Sequence, residues 1–190
     1  MDFDMSFLHF EGGLSSSHVC HIRDIENGTY IKKSDFDLDV YLPTFGINLQ
    51  RPFVWTPLQQ SAFMESIVYY RHRTIPNFAI LKDNSKDKER TIWRVVDGKQ
   101  RLTTIFKWLN GEVSISVPGF EGTIETCPPI LKQHIGRFAI TANICYDGRA
   151  EKVVESDLDD VGIVKWFDLI NFTGTPQDLE HKQKLRSLID

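Results

Sequence analysis

The stretch Val95-Val96-Asp97-Gly98-Lys99-Gln100-Arg101-Leu102-Thr103-Thr104 gathers groups that could handle an anion. An apolar run passes through one glycine into an amphipathic stretch, so a strand hands over to a helix there. The first turn of a helix leaves backbone N–H groups without partners, and the helix dipole adds partial positive charge at the same end. A phosphate suits both. Gly98 lets a ligand approach the backbone closely. Lys99 and Arg101 add positive charge, and a guanidinium can hold two phosphate oxygens at once. Gln100 donates and accepts, so it can orient a water or a base edge. The same residues also fit a plainer reading, with Asp97 as N-cap, Gln100 closing a capping box and Gly98 serving only the turn. The two readings can coexist, since one side chain does not satisfy every exposed amide. The spacing is not that of a Walker-type loop, which needs a longer glycine-rich run.

Two further segments could face such a site. In Asn48-Leu49-Gln50-Arg51-Pro52-Phe53-Val54-Trp55, Pro52 biases Arg51 toward an extended backbone. Phe53 and Trp55 either fill a core or offer a face for stacking. In Phe167-Asp168-Leu169-Ile170-Asn171-Phe172-Thr173-Gly174-Thr175-Pro176 a helix ends, the chain turns and a capped helix begins. Asn171 is the polar group there that could reach a cleft. No metal cluster is expected: Asp157, Asp159 and Asp160 read as a solvated face, and the close pair His18 and His21 lacks further ligands. Cys20, Cys127 and Cys145 are odd in number and widely spaced, which argues against disulfides and zinc. No serine, cysteine and histidine spacing marks a nucleophile.

The elements that must position these groups follow from hydrophobic patterning. Phe36–Val40 alternates apolar and acidic residues as a strand does. Thr56, Pro57 and Gln59 form a helix start with a capping box, and Phe63, Ile67 and Tyr70 lie on one stripe of that helix. Pro76–Leu81 and Thr91–Val96 read as a hairpin. A helix spans Lys99–Asn110, with Leu102, Ile105, Phe106 and Leu109 inward and Gly111 as the stop. Val113, Ile115 and Val117 alternate with polar residues as a strand. A short helix follows residues 124–129, and Phe138–Tyr146 is a further strand. Ile163, Phe167 and Ile170 mark a helix, and a last one opens at Thr175 and Pro176. Gly12–Ser17 reads as a flexible turn. The fold class is therefore α+β, with helices interleaved among short strands.

At 190 residues, 41% hydrophobic and 12% aromatic, the chain can bury a core without staples, which excludes global disorder. No apolar run reaches the length of a membrane span, and the first ten residues lack a signal-peptide pattern, so a cytoplasmic location is expected and no membrane partner. A net charge of −4 disfavours whole-surface binding of nucleic acid but leaves room for a local basic cleft on DNA.

Three stretches, in order, resemble one family: Leu49-Gln50-Arg51-Pro52-Phe53-Val54-Trp55, then Asp97-Gly98-Lys99-Gln100-Arg101-Leu102-Thr103-Thr104, then Ile170-Asn171-Phe172-Thr173-Gly174-Thr175-Pro176. Together they resemble the N-terminal domain of GmrSD-type restriction endonucleases, whose signature is D-G-Q-Q-R. The resemblance implies a ParB/sulfiredoxin-like fold, a small mixed sheet with interleaved helices over residues 36–190, preceded by an N-terminal extension over 1–35. It implies nucleoside triphosphate binding and hydrolysis with Mg²⁺, in a protein related to anti-phage systems. Carried over, Asp97, Gln100 and Arg101 are the catalytic candidates, with Asp97 orienting Mg²⁺ or water. Gln50, Arg51, Gly98, Lys99, Thr103, Thr104 and Asn171 are the nucleotide-binding candidates. Lys99 departs from the signature's first Gln. The family's HNH-type nuclease module has no counterpart within 190 residues, so a stand-alone domain of phage or mobile-element origin is expected. Two alternatives remain open: a ParB-like DNA-binding or nuclease module, and a non-catalytic interaction protein with a phage or host partner.

Overall fold

The computed structural model describes residues 13–28, 31–70, 78–83, 92–146, 159–172, 183–185 and 187–188. Its centre is a mixed five-stranded sheet of β1 (Gly13–His21), β2 (Phe36–Asp37), β5 (Phe78–Asp83), β6 (Ile92–Asp97) and β9 (Ala139–Tyr146). The strand order is β1-β9-β5-β6-β2. The β1–β9 and β5–β6 pairs are antiparallel, whereas β5–β9 and β2–β6 are parallel. Two small ribbons sit outside it: β3 (Tyr41–Leu42) with β4 (Ile47–Asn48), and β7 (Ile115–Val117) with β8 (Phe120–Gly122). The helices are α1 (Ile22–Asn27), α2 (Pro57–Tyr70), α3 (Lys99–Leu109), α4 (Pro129–Gly136) and α5 (Asp160–Phe172). The chain is α+β.

Strand β6 shows why both valines before the bend are apolar. Successive side chains of a strand point to opposite faces. Val95 packs into a core with Met64, Ile67, Leu102, Ile105 and Trp108, whereas Val96 packs into a second core with Val40, Leu42, Leu49, Ile163 and Trp166. A strand covered on both faces reads as a continuous apolar run. The β6–α3 bend therefore emerges where two packed layers meet, and the elements on both sides hold it.

Local chemistry fixes the helix ends. The Gln59 amide donates to Thr56 Oγ1 at 3.3 Å and the Thr56 amide to Gln59 Oε1 at 2.9 Å, a reciprocal capping box. Thr56→Ala should cost about 1 kcal/mol in chemical denaturation while Thr56→Ser costs almost nothing; equal losses would show that the cap hydroxyl is not what matters. At the far end of α3, Gly111 is left-handed (φ 77°), its amide reaches Trp108 O and the Glu112 amide reaches Lys107 O. This is a Schellman stop, and glycine takes that conformation without strain.

Some expectations change. Gly12–Ser17 was expected to form a turn, but from Gly13 the backbone is the edge strand β1, aligned by its pairing with β9. The strand expected over Phe36–Val40 stops after Asp37. Asp37 Oδ1 accepts the amides of Asp39 and Val40, and Val40 turns to φ 51°. On α2 the buried apolar positions among the described residues are Met64 and Ile67, with Phe63 half-buried against Trp55 at 5.5 Å between ring centroids; the side chain of Tyr70 lies outside the described residues. Residues 22–31, ahead of position 36, contribute Ile22, Ile25 and Ile31 to the core. The start of the terminal helix at Thr175 and Pro176 lies outside the described residues.

Candidate functional site

The bend between β6 and α3 is built around Gly98, at φ 108° and ψ 9°. A side chain rarely adopts that conformation, so glycine is what lets the strand turn directly into the helix. Gly98 itself is the N-cap, and no side chain caps α3. Asp97 is one residue too early to cap, and its carboxylate accepts Arg101 Nη2 at 3.0 Å across one helical turn. The structural capping box between Asp97 and Gln100 is therefore absent.

Gln100 is spent on the neighbouring loop. Its Oε1 accepts the amides of Val54 at 2.9 Å and Trp55 at 3.3 Å, and its Nε2 donates to Pro52 O at 3.0 Å. Gln50 mirrors it: its Nε2 donates to Val95 O at 3.0 Å and also to Val96 O. Between these two anchors lies Arg51, exposed to solvent and with no ion pair among the described residues. The two glutamines thus pin the backbone on either side of Arg51 against the end of β6 and the start of α3.

The other cations of the region are paired. Lys99 is buried and its Nζ donates to Asp39 Oδ1. Arg94 is buried too, with Nη2 donating to Tyr41 O at 2.9 Å and Nε 3.7 Å from Asp37 Oδ2. Burial pulls the Arg101 guanidinium below its ordinary pKa, and Asp97 opposes that fall. An arginine starts so far above neutrality that it stays charged. Three carboxylates thus answer three cations, and Gly98 is itself buried, so the described residues at the bend form a packed corner.

The remaining predicted residues divide. Thr104 is buried and its hydroxyl donates back to Gln100 O at 2.8 Å, which commits it to the helix. The Thr103 hydroxyl oxygen is buried and has no hydrogen-bond partner among the described residues. Asn171 falls in the last turn of α5, and its side chain lies outside the described residues. The structure thus gathers Gln50, Arg51, Asp97, Gly98, Lys99, Gln100 and Arg101 at one corner. Sequence reasoning missed Asp37, Asp39 and Arg94; the acidic alternation in Phe36–Val40 was the signal, but it was read only as a strand face.

Desolvation, with Asp24 adding, pushes the Cys20 thiol up to about 12, so it is not a thiolate near neutrality. His21 is engaged with Asp24 at the start of α1. Asp159 accepts the Gly162 amide at the start of α5, and Asp160 accepts the Thr44 amide. Among the described residues no group of three or more His, Cys, Asp or Glu side chains could hold a metal, and no helix is long and apolar enough to cross a membrane.

Comparison with known proteins agrees with the family that the three stretches resemble. No curated protein and no solved structure matches the chain. The family described as "GmrSD restriction endonuclease, N-terminal domain" matches residues 31–187, which include both anchored segments and the bend. With most of its length covered, the chain belongs to the family of GmrSD restriction endonuclease N-terminal domains and is related to anti-phage restriction systems.

Proposed function

We propose that this chain is a nucleoside-triphosphate-binding domain with slow hydrolysis, and that the phosphates sit over the β6–α3 corner. One observation supports the reading: Asp97 is drawn to Arg101 instead of capping α3, so among the described residues no side chain caps the helix N-terminus, and the exposed Arg51 lies in the loop anchored to it. Backbone N–H groups, the helix dipole and two guanidinium groups then act on one anion. Exposed Val54 and Leu58 give an apolar margin against which a base can rest. The roles divide by partner. Arg51 and Arg101 neutralise phosphate charge, and Asp97 orients the attacking water. Gln50 and Gln100 act as positioning residues, because their amides are committed to the backbone.

Magnesium fits this corner as a passenger on the triphosphate, because it keeps several waters and needs only one or two carboxylates. Asp97 is the carboxylate at the bend that would meet it. Bound there, the ion would draw charge from the phosphate oxygens.

The test is a thermal-shift panel of ATP, GTP, CTP and UTP, each with Mg²⁺. A nucleotide at about 100 times its dissociation constant should stabilise the fold by roughly 2.7 kcal/mol. Arg51→Ala should weaken binding about tenfold and leave the unliganded melting temperature unchanged, since the side chain is exposed. Undiminished affinity in that variant would remove Arg51 from the site. A shift with duplex DNA and none with any nucleotide would replace the reading by a DNA-binding one.

A further inference from the structure

Lys99 and Asp39 form the least symmetric pair in the corner. The lysine side chain is 10% exposed and the aspartate 60%. The cation is therefore held inside the fold while its counter-ion sits at the surface. If the carboxylate leaves, it is rehydrated at little cost, whereas the ammonium is left nearly buried and in need of another anion.

The backbone beneath Asp39 is fixed. Its amide and that of Val40 donate to Asp37 Oδ1 at 3.1 and 2.9 Å. Leu49 N reaches Val40 O at 3.0 Å and Gln50 N reaches Asp39 O at 3.2 Å. Val40, β-branched and fully buried, is held at φ 51°, a left-handed conformation that strains such a residue. Four hydrogen bonds thus maintain a strained turn whose visible product is the Asp39 carboxylate placed on Lys99. The side chain, by contrast, is mostly exposed. The buried hydroxyl oxygen of Thr103, without a hydrogen-bond partner among the described residues, belongs to a residue one turn further along the same face of α3 as Lys99.

We infer that Asp39 is a displaceable internal counter-ion: its carboxylate occupies the place of a phosphate oxygen on Lys99 and sets how tightly the corner takes a polyphosphate. The inference rests on the nucleotide reading above and deepens it. A weakly charged ligand does not displace a carboxylate already in place, whereas a triphosphate does. Asp39 therefore selects for ligands of high negative charge, and the departure from the family signature at Lys99 comes with its own regulator.

Titration calorimetry on the full chain tests this, with Mg²⁺-ATP and AMP as ligands at fixed ionic strength. Asp39→Asn keeps the shape and removes the charge, and should tighten both ligands about fivefold, with the larger proportional gain for AMP. The gain should vanish in the Asp39→Asn/Lys99→Gln double variant, because the cation it exposes is gone. Asp39→Ser repeats the test if the asparagine variant is poorly folded by circular dichroism. Nucleotide binding by the wild-type chain that is unchanged or weakened by Asp39→Asn overturns the counter-ion role and leaves the nucleotide reading standing. A gain that survives in the double variant also overturns it. Absence of binding by both wild type and Asp39→Asn brings down both readings.

Discussion

Gln100→Ala is expected to release residues 50–56 from the β6–α3 corner and to lower the melting temperature by about 6 °C. Three hydrogen bonds to the backbone of Pro52, Val54 and Trp55 are lost at once. At roughly 1 kcal/mol each, discounted because the loop is half open to water, they total about 2 kcal/mol. For a chain of this size each kcal/mol moves the midpoint by about 2–4 °C. Hydrogen exchange should speed up at Val54 and Trp55, whose amides lose their acceptor, and nucleotide affinity should fall as Arg51 loses its fixed position. Gln100→Glu separates the two halves of the clamp: it still accepts from the amides but cannot donate to Pro52. Unchanged exchange at Val54 in the alanine variant would show that something else holds the loop.

Arg101→Ala should weaken nucleotide binding about a hundredfold, the loss of two charge-assisted hydrogen bonds to phosphate. It should also lower the stability of the unliganded protein. Its side chain is 12% exposed and holds Asp97. Because Asp97 is 38% exposed, water takes over part of the lost interaction, and about 1–2 kcal/mol is the expected cost. Arg101→Lys retains charge but not the planar fork, so it should restore stability more than binding. Calorimetry and thermal denaturation on the same samples separate the effects. Full binding in a destabilised Arg101→Ala protein would reduce the residue to a scaffold role.

Much of the local chemistry was legible in the amino-acid order. The capping box at Thr56 and Gln59, the strand-to-helix bend at Gly98 and the stop at Gly111 follow from residues within a few positions of one another. Spacing also placed the β5–β6 hairpin and the start of α3. What escaped involves partners far apart in the chain. Lys99 meets Asp39, Gln50 meets Val95 and Gln100 meets Pro52, and no local pattern announces such meetings. The choice made by Asp97 was also hidden, because a carboxylate before a helix can cap it or pair with the arginine one turn on. The left-handed Val40 breaks the ordinary steric preference of its residue type, so the Phe36–Val40 alternation pointed to a longer strand than exists. Strand β1 lacked a signal for a different reason: its serine-rich start has little intrinsic preference, and β9 supplies the order.

That last pairing governs the sequence of events at the ribosome. β1, at residues 13–21, leaves the exit tunnel well before its partner, residues 139–146. β5 likewise has β9 as one neighbour. Until that later strand appears, the nascent chain can assemble the α2–α3 region and the β5–β6 hairpin, but β1 lacks its sheet neighbour. Closing so long a loop is slow, so β1 waits unpaired while the residues between the two strands are made, the interval in which a chaperone has most to do.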